Sequence, residues 1–104
     1  MARQEAQIYK ALGDPVRLEM VRRLVEQSPL TLGEISRDLG VSRQGARKQI
    51  QVLVSANVVH LQPKGRQTEV TLDSESLRRA REFISKLEQQ WDQRLQSLKA
   101  LVED

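Results

Sequence analysis

The spacing of the hydrophobic positions changes twice along the chain, from helical to strand-like and back to helical. After Ser42, the residues Ala46, Ile50 and Leu53 recur at steps of four and three, which predicts one buried stripe on a helix. Within residues 58–72, two short runs rich in β-branched residues flank a Pro/Gly turn, which predicts a hairpin. Helical spacing then returns. The pattern therefore predicts a mainly α fold of the α+β type, with a hairpin ahead of a long last helix.

Two further helices are predicted before residue 30. The first, over residues 2–12, is weakly amphipathic, and its apolar side carries Ile8, Tyr9 and Leu12. Asp14 and Pro15 suit the cap and first residue of the second helix, because proline lacks a donor that is unpaired there anyway. The second helix is expected to bury most of Val16, Leu18, Val21, Leu24 and Val25. Its arginines are expected nearer solvent: Arg17, Arg22 and Arg23.

Residues 31–57 have the features of a helix-turn-helix. Thr31 and Glu34 have the spacing of a capping box, in which side chains and backbone amides at a helix start satisfy each other. The first helix is predicted to run through Leu39 and to end at Gly40, since glycine tolerates the left-handed conformation of a helix end. The second helix is expected to begin after Ser42 and to cross the first closely.

The second helix of this motif carries polar side chains away from its apolar stripe. Such a helix is typical of proteins that insert one helix into the DNA major groove. Arginine can donate two hydrogen bonds to guanine, glutamine can pair with adenine, and the remaining side chains can hold phosphates. The candidate DNA-binding residues of this helix are Ser42, Arg43, Gln44, Arg47, Lys48 and Gln51.

The predicted hairpin, residues 58–72, follows the helix-turn-helix directly and is therefore interpreted as a wing. Lys64 and Arg66 are expected at its tip, where they can reach phosphates or a minor groove. His60, the only histidine of the chain, is interpreted as a strand residue with an ordinary hydrogen bond; a ligand role is the alternative.

Basic charge is concentrated in one part of the chain. Residues 37–66 hold six basic residues and one acid, a net of +5, whereas the rest holds 11 basic and 13 acidic residues, a net of −2. A positive patch in one structural unit favours a polyanionic partner, although it can also be a merely solvated face. RNA is disfavoured, because the single Phe, Tyr and Trp all lie outside the wing and the second helix of the motif. Double-stranded DNA is the predicted partner.

The last helix is predicted to span residues 74–102 and to carry a nearly heptad seam. At 1.5 Å per residue it would be about 43 Å long, which is longer than so small a domain can cover, so a homodimer is expected. Trp91 is interpreted as an anchor of this seam, with a ligand pocket as the alternative. The apolar seam consists of Leu77, Ala80, Ile84, Leu87, Trp91, Leu95, Leu98 and Val102.

Composition limits the remaining function classes. The chain has no cysteine, no glycine-rich phosphate loop and no Ser/His/Asp set, so an enzyme is not predicted, and neither a cofactor nor a metal site is expected. Glu34 and Asp38 are spaced like a metal pair, but a capping role and a solvated role explain them better. Without a signal-like or membrane-spanning apolar run, a single cytoplasmic domain over residues 1–104 is expected. A winged helix used only for protein–protein assembly is the alternative to DNA binding.

Three segments carry a family resemblance: ALGDPVRLEMVRRL at residues 11–24, LTLGEISRDLGVSRQGARKQIQVLVSANVV at residues 30–59, and the wing. Together they resemble the winged-helix core of the ArsR/SmtB family of bacterial transcriptional regulators. The end of the chain, WDQRLQSLKALVED, resembles a subgroup with a long Trp-x-x-Arg-Leu tail helix.

The resemblance implies a homodimeric repressor on an operator with two-fold symmetry. It also implies that the first and last helices form the dimer interface. Metal-sensing members carry cysteines in the helix matching residues 32–39, or histidines and carboxylates along the last helix. This chain has no cysteine or histidine in either stretch, so a non-metal-sensing member is expected. The expected interface residues are Ile8, Tyr9, Leu12, Leu77, Ile84, Leu87, Trp91, Leu95 and Leu98.

Overall fold

The computed structural model describes residues 2–103, apart from the side chain of Ala2, and it is mainly helical with a small antiparallel sheet. The predicted domain, residues 1–104, also includes Met1 and Asp104, which lie outside the described residues. The helices are α1 (Ala2–Leu12), α2 (Pro15–Glu26), α3 (Leu32–Ser36), α4 (Arg43–Ser55) and α5 (Ser74–Glu103). The strands are β1 (Leu30–Thr31), β2 (Val59–Lys64) and β3 (Gln67–Leu72). The predicted fold, a winged helix-turn-helix with a long C-terminal helix, is confirmed.

The start of α2 follows the sequence prediction, and its buried face follows the prediction only in part. Asp14 caps the helix by accepting hydrogen bonds from the amides of Val16 (2.9 Å) and Arg17 (3.1 Å). Leu18 is 54% exposed and Val25 is 64% exposed, so both were wrongly expected in the core. Val21 and Leu24 are buried as predicted, and Met20, which was not predicted, is buried beside them.

Two arginines of α2 also lie elsewhere than predicted. Arg17 and Arg23 are half-buried rather than directed to solvent, because their guanidinium groups donate to backbone carbonyls of neighbouring helices. Only Arg22 stays on the exposed side, where it pairs with Glu19 and Glu26 of its own helix.

The first helix of the helix-turn-helix motif begins as predicted and ends earlier. The capping box is confirmed, since the amide of Glu34 donates to Thr31 Oγ1 (3.1 Å) and the amide of Thr31 donates to Glu34 Oε1 (2.9 Å). However, α3 ends at Ser36 instead of Leu39. Arg37 already has an extended backbone (φ −65°, ψ 132°), so the helix stops before Gly40. Asp38 then adopts a left-handed φ of 58°, which a short polar side chain tolerates.

The wing is one edge of a three-stranded sheet with the order β1–β3–β2. Lys64 pairs with Gln67, so the turn consists of Gly65 and Arg66 alone, with Gly65 at φ 61° as such a tight turn requires. Pro63, expected in the turn, lies within β2, which is acceptable because β2 is an edge strand. The two-residue strand β1, which the sequence pattern did not predict, pairs with β3 on the other side.

A single core joins the helix-turn-helix, the sheet and α1. The predicted stripe of α4 is confirmed, since Ala46, Ile50 and Leu53 are all buried. Ile8 was expected in the dimer interface, but it is only 3% exposed and lies in this core. The reason is that α1 packs along the first part of α5 within the same chain.

Only the first part of α5 contributes to this core. Ser76 and Ala80 are buried, whereas every described residue from Lys86 onward is exposed. The molecule is consequently elongated, with dimensions of 69 × 25 × 24 Å. None of the helices in the described residues is long and apolar enough to cross a membrane.

Candidate nucleic-acid interface

The N-terminus of α4 is fixed by a short network at Ser42. The Ser42 hydroxyl accepts a hydrogen bond from the amide of Gly45 (2.9 Å), and its carbonyl accepts one from the amide of Ala46 (2.8 Å). A Cβ atom at Gly45 would lie 3.1 Å from Ser42 Oγ, so a larger residue would push against the cap. The cap and the glycine together determine where the exposed face of α4 begins.

The candidate DNA-binding side chains of α4 lie on one exposed face. Ser42, Arg43, Gln44, Arg47, Lys48 and Gln51 are all exposed. Within the described part of the chain, no carboxylate forms a salt bridge with Arg43, Arg47 or Lys48. Their charges are therefore available to an external anion.

A cleft between α3 and α4 brings a further arginine to this face. The cleft has a volume of about 440 Å³, and Arg37, Arg43 and Arg47 line it together. Sequence reasoning counted Arg37 in the basic segment but did not assign it a role; its adjacency to the turn was the available signal. Three guanidinium groups around one concave surface concentrate positive potential, and each can hold a phosphate with paired hydrogen bonds. The other lining residues are Leu32, Gly33, Ser36, Val41 and Ser42.

The position of α3 depends on Arg23 of α2. Arg23 Nη1 donates to the carbonyl of Ile35 (3.2 Å) and to that of Arg37 (2.5 Å), which satisfies acceptors at the end of α3. Arg23 Nε in turn donates to Glu19 (3.1 Å). Hydrogen bonds from Arg22 and Arg23 lower the pKa of Glu19 to about 2, so this carboxylate stays charged at neutral pH. The ion pair of Arg23 with Glu19 on α2 thus fixes the start of the turn between α3 and α4.

The wing tip carries the two predicted basic residues. Arg66 lies in the turn and is exposed. Lys64 closes β2, and its Nζ atom lies 3.9 Å from Glu69 Oε2 across the hairpin, a long and exposed contact that contributes little. Both cations are accessible.

The junction between the wing and α5 contains the histidine. His60 Nε2 lies 2.7 Å from Asp73 Oδ2, while Asp73 Oδ1 accepts from the amides of Glu75 (2.9 Å) and Ser76 (3.2 Å). Burial opposes ionisation of Asp73, but these hydrogen bonds outweigh it and lower the pKa of its carboxyl. His60 thus makes the ordinary hydrogen bond expected of it.

The carboxylates do not form a metal site in the described residues. No group of three or more His, Cys, Asp or Glu side chains is arranged there to hold an ion. Glu34 serves the capping box, whose hydrogen bonds with Thr31 lower the pKa of the Glu34 carboxyl. Asp38 lies at the left-handed turn after α3.

The residues assigned to a dimer interface fall into two groups. One group forms an exposed stripe along α5, which consists of Ile84, Leu87, Trp91, Leu95 and Leu98. Trp91, its largest side chain, is 57% exposed. The others are buried or half-buried inside the chain: Ile8, Tyr9, Leu12 and Leu77. Among the residues assigned to the interface, the exposed apolar surface therefore lies on α5, and Ile8 is not part of it.

Sequence comparisons connect this geometry to known proteins. Residues 12–62 match a protein family described as a helix-turn-helix domain. The HTH-type transcriptional regulator Rv2034 of Mycobacterium tuberculosis (strain ATCC 25618 / H37Rv) is 38% identical over 69 residues, which cover 66% of this chain and 64% of that regulator. The uncharacterized HTH-type transcriptional regulator YuzN of Bacillus subtilis (strain 168) is 34% identical over 77 residues, which cover 68% of this chain and 84% of that protein. The match thus spans less than two thirds of Rv2034.

Comparison of structures gives the same fold. An ArsR-like transcriptional regulator from Rhodococcus sp. RHA1 superposes with a TM-score of 0.85 at 23% identity, over 96% of this chain and 93% of that one. The homodimeric winged helix-turn-helix DNA-binding domain of Mb0332 from Mycobacterium bovis superposes with a TM-score of 0.68 at 19% identity, over 88% of this chain and 85% of that one. The long last helix is part of the shared fold, since the first superposition covers nearly the whole chain.

Proposed function

The chain belongs to the helix-turn-helix transcriptional regulators of the ArsR type, and from this premise we propose that it is a homodimeric repressor that binds an inverted-repeat operator in the cytoplasm. The observation that carries the proposal is the exposed face of α4, where Arg43, Arg47 and Lys48 have no carboxylate partner in the described residues. A cationic helix without internal partners suits the major groove of duplex DNA.

The side chains divide into two roles. Arg43, Arg47 and Gln44 lie at the start of the helix, which is the part that contacts base edges in helix-turn-helix proteins. Arg37 in the cleft, together with Lys64 and Arg66 on the wing, is suited to phosphates, which orient the protein without specifying sequence. Ser42, Lys48 and Gln51 supply further contacts on the same face.

The homodimer follows from the exposed stripe of α5. Full burial of a large apolar side chain contributes roughly 1.5–3 kcal/mol, and the five side chains of this stripe are about half exposed, so a partner that covers them gains part of that amount at each position. A second copy supplies a stripe of the same composition, and Mb0332, which shares the fold, is homodimeric. Pairing would place the two α4 helices of the dimer, its recognition helices, about 34–36 Å apart. This distance is one turn of DNA, so both halves of a symmetric site are engaged.

The test is selection of bound DNA from a random pool, followed by titration of the selected duplex across a range of salt concentrations. We expect an inverted repeat, and an affinity that falls linearly on logarithmic axes by about 0.9 per phosphate neutralised. A winged helix that serves only protein assembly would enrich no sequence. A flat salt response together with a random pool that stays random would refute the proposal.

A further inference from the structure

Arg17 contacts three acceptors on two helices other than its own. Its Nε donates to the carbonyl of Ala11 (2.6 Å), and its Nη2 donates to the carbonyl of Lys10 (3.2 Å), both at the end of α1. Its Nη1 donates to Gln49 Oε1 (2.6 Å) on α4. One half-buried guanidinium therefore joins the end of α1 to the recognition helix.

The sequence around Gly13 places Arg17 at this junction. Residues near the end of α1 have carbonyls without helical partners, and Gly13 leaves space there, since a Cβ would lie 3.3 Å from the Tyr9 carbonyl. Asp14 then starts α2 at once, so that Arg17 lies in its first turn, close to those carbonyls. The planar guanidinium can serve several acceptors in fixed directions, which the single ammonium of lysine cannot.

The end of α1 is itself attached to α5. The Tyr9 hydroxyl donates to the carbonyl of Ala80 (2.7 Å), and the Tyr9 and Phe83 rings lie 6.3 Å apart. A continuous set of contacts thus leads from α5, through α1 and Arg17, to Gln49 on α4. In the sequence, Gln49 is flanked by Lys48, which is exposed, and by Ile50, which is buried in the core.

We propose that Arg17 is a positioning residue for DNA binding, which holds the recognition helix at a fixed orientation relative to α5 through Gln49. The inference rests on the proposed function and deepens it. Arg17 does not contact DNA in this scheme. It determines how the two recognition helices of a dimer are placed, and so it affects binding to a symmetric site more than binding to arbitrary DNA.

The experiment compares Arg17→Lys, Gln49→Ala and the double variant in the full chain. The dissociation constants for the selected operator and for random duplex are measured at a temperature where circular dichroism shows every variant folded. We expect each single variant to weaken operator binding by about tenfold, leaving random-duplex affinity and the salt slope unchanged. The double variant should be no weaker than Arg17→Lys, because the contact between Arg17 and Gln49 is already lost in that single variant.

Arg22→Lys is the matched control. Arg22 lies on the same helix, but among the described residues it pairs only with Glu19 and Glu26 of α2, so the same replacement should leave the ratio of operator to random affinity unchanged. This ratio separates positioning from mere stabilisation, because a loss of stability alone does not alter the affinities of a fully folded protein. If Arg17→Lys does not fold, Gln49→Ala supplies the same test, since it leaves the bonds of Arg17 to α1 intact.

Three outcomes would overturn the inference. An unchanged ratio in Arg17→Lys would remove the positioning role, and a salt slope lowered by about one in Arg17→Gln, which removes the charge, would make Arg17 a phosphate contact instead. Additive losses in the double variant would mean that Gln49 acts on DNA by itself. If the wild-type chain binds no duplex at all, the proposed function is overturned. If the wild-type chain binds its operator normally and the variants keep the same ratio, only the positioning role of Arg17 is overturned.

Discussion

Two regions of this chain have similar apolar spacing and opposite environments. In the body, residues 2–85, stripes such as Ala46, Ile50 and Leu53 are buried by the chain itself. In the distal segment, residues 86–103, Leu87, Trp91, Leu95 and Leu98 recur at steps of three and four and remain exposed. Periodicity therefore identifies the apolar face of a helix without identifying the chain that covers it.

The largest expected effect comes from a charge in the stripe of the distal segment. Leu87→Glu would place a carboxylate in each of two facing helices, and an unpaired buried charge is very costly. We expect a monomer in sedimentation and a loss of specific operator affinity by orders of magnitude. Gln89→Glu adds the same charge off the stripe and should remain dimeric. A dimer of Leu87→Glu with wild-type affinity would place the interface elsewhere.

The next effect distinguishes the buried core from the exposed stripe of α5, which begins at Ile84, by the free energy of unfolding. In the monomeric Leu87→Glu background, Ile50→Ala should lower the free energy of unfolding by about 2–5 kcal/mol, because Ile50 is only 1% exposed and a cavity remains. Ile84→Ala, the same replacement at a position that is 46% exposed, should change it by less than about 0.5 kcal/mol. Denaturant titration of both variants measures this contrast. Equal losses would mean that the chain covers Ile84 by itself.

A third variant tests whether DNA contacts belong to the body alone. Arg47→Ala should weaken the selected operator by roughly 1–3 kcal/mol and relax the preference at one base pair, while the mass in sedimentation stays dimeric. Arg94→Ala removes an exposed arginine from the distal segment and should leave the affinity unchanged. Normal operator binding by Arg47→Ala would show that the register assigned to the recognition helix is wrong.

A smaller effect is expected at the wing. Lys64→Ala should weaken the operator and random duplexes to a similar degree and reduce the salt slope by about one, as loss of a phosphate contact does. Titrations of both duplexes at several salt concentrations measure it. A change of base preference would instead place Lys64 in a groove.

The smallest effect concerns the junction between the wing and α5. The folded state lowers the pKa of Asp73 below its ordinary 3.8, so the stability that this carboxylate contributes is present above that value and is lost as the pH falls through the lower folded pKa. Asp73→Asn should therefore flatten the acid side of the stability curve below about pH 4, with a loss at pH 7 under about 1 kcal/mol because asparagine also caps helices. Thermal unfolding of both proteins from pH 2 to 7 measures how stability depends on pH. If stability falls equally steeply with acid in Asp73→Asn and in the wild type, the carboxylate of Asp73 is not the source of this dependence.

Local rules in the sequence were sufficient for much of this fold. The capping box of Thr31 and Glu34, the cap at Ser42 and the hairpin each depend on residues a few positions apart. The exposed face of α4 followed from the same spacing that defined its buried stripe, so the candidate DNA-binding surface was largely predictable.

The errors concern contacts between residues far apart in sequence. Arg17 bonds to Gln49 and Arg23 to the carbonyl of Arg37, and nothing in the periodicity of α2 distinguishes these arginines from Arg22. Leu18 and Val25 appear apolar enough for a core, but the elements of the described residues leave both of them more than half exposed. Strand β1 was not predicted because two residues are too few to show an alternation of polar and apolar positions. The strand is defined by its pairing with β3.

That short strand has a consequence for the thermodynamics of DNA binding. Thr31 pairs with Glu69 of the wing and also caps α3, so the wing is joined to the start of the helix-turn-helix at one residue. A hairpin attached in this way loses little conformational freedom when it meets a ligand, because it is already ordered. Association should therefore show only a small entropic penalty from the wing, and rigid-body docking without rearrangement of the two binding elements.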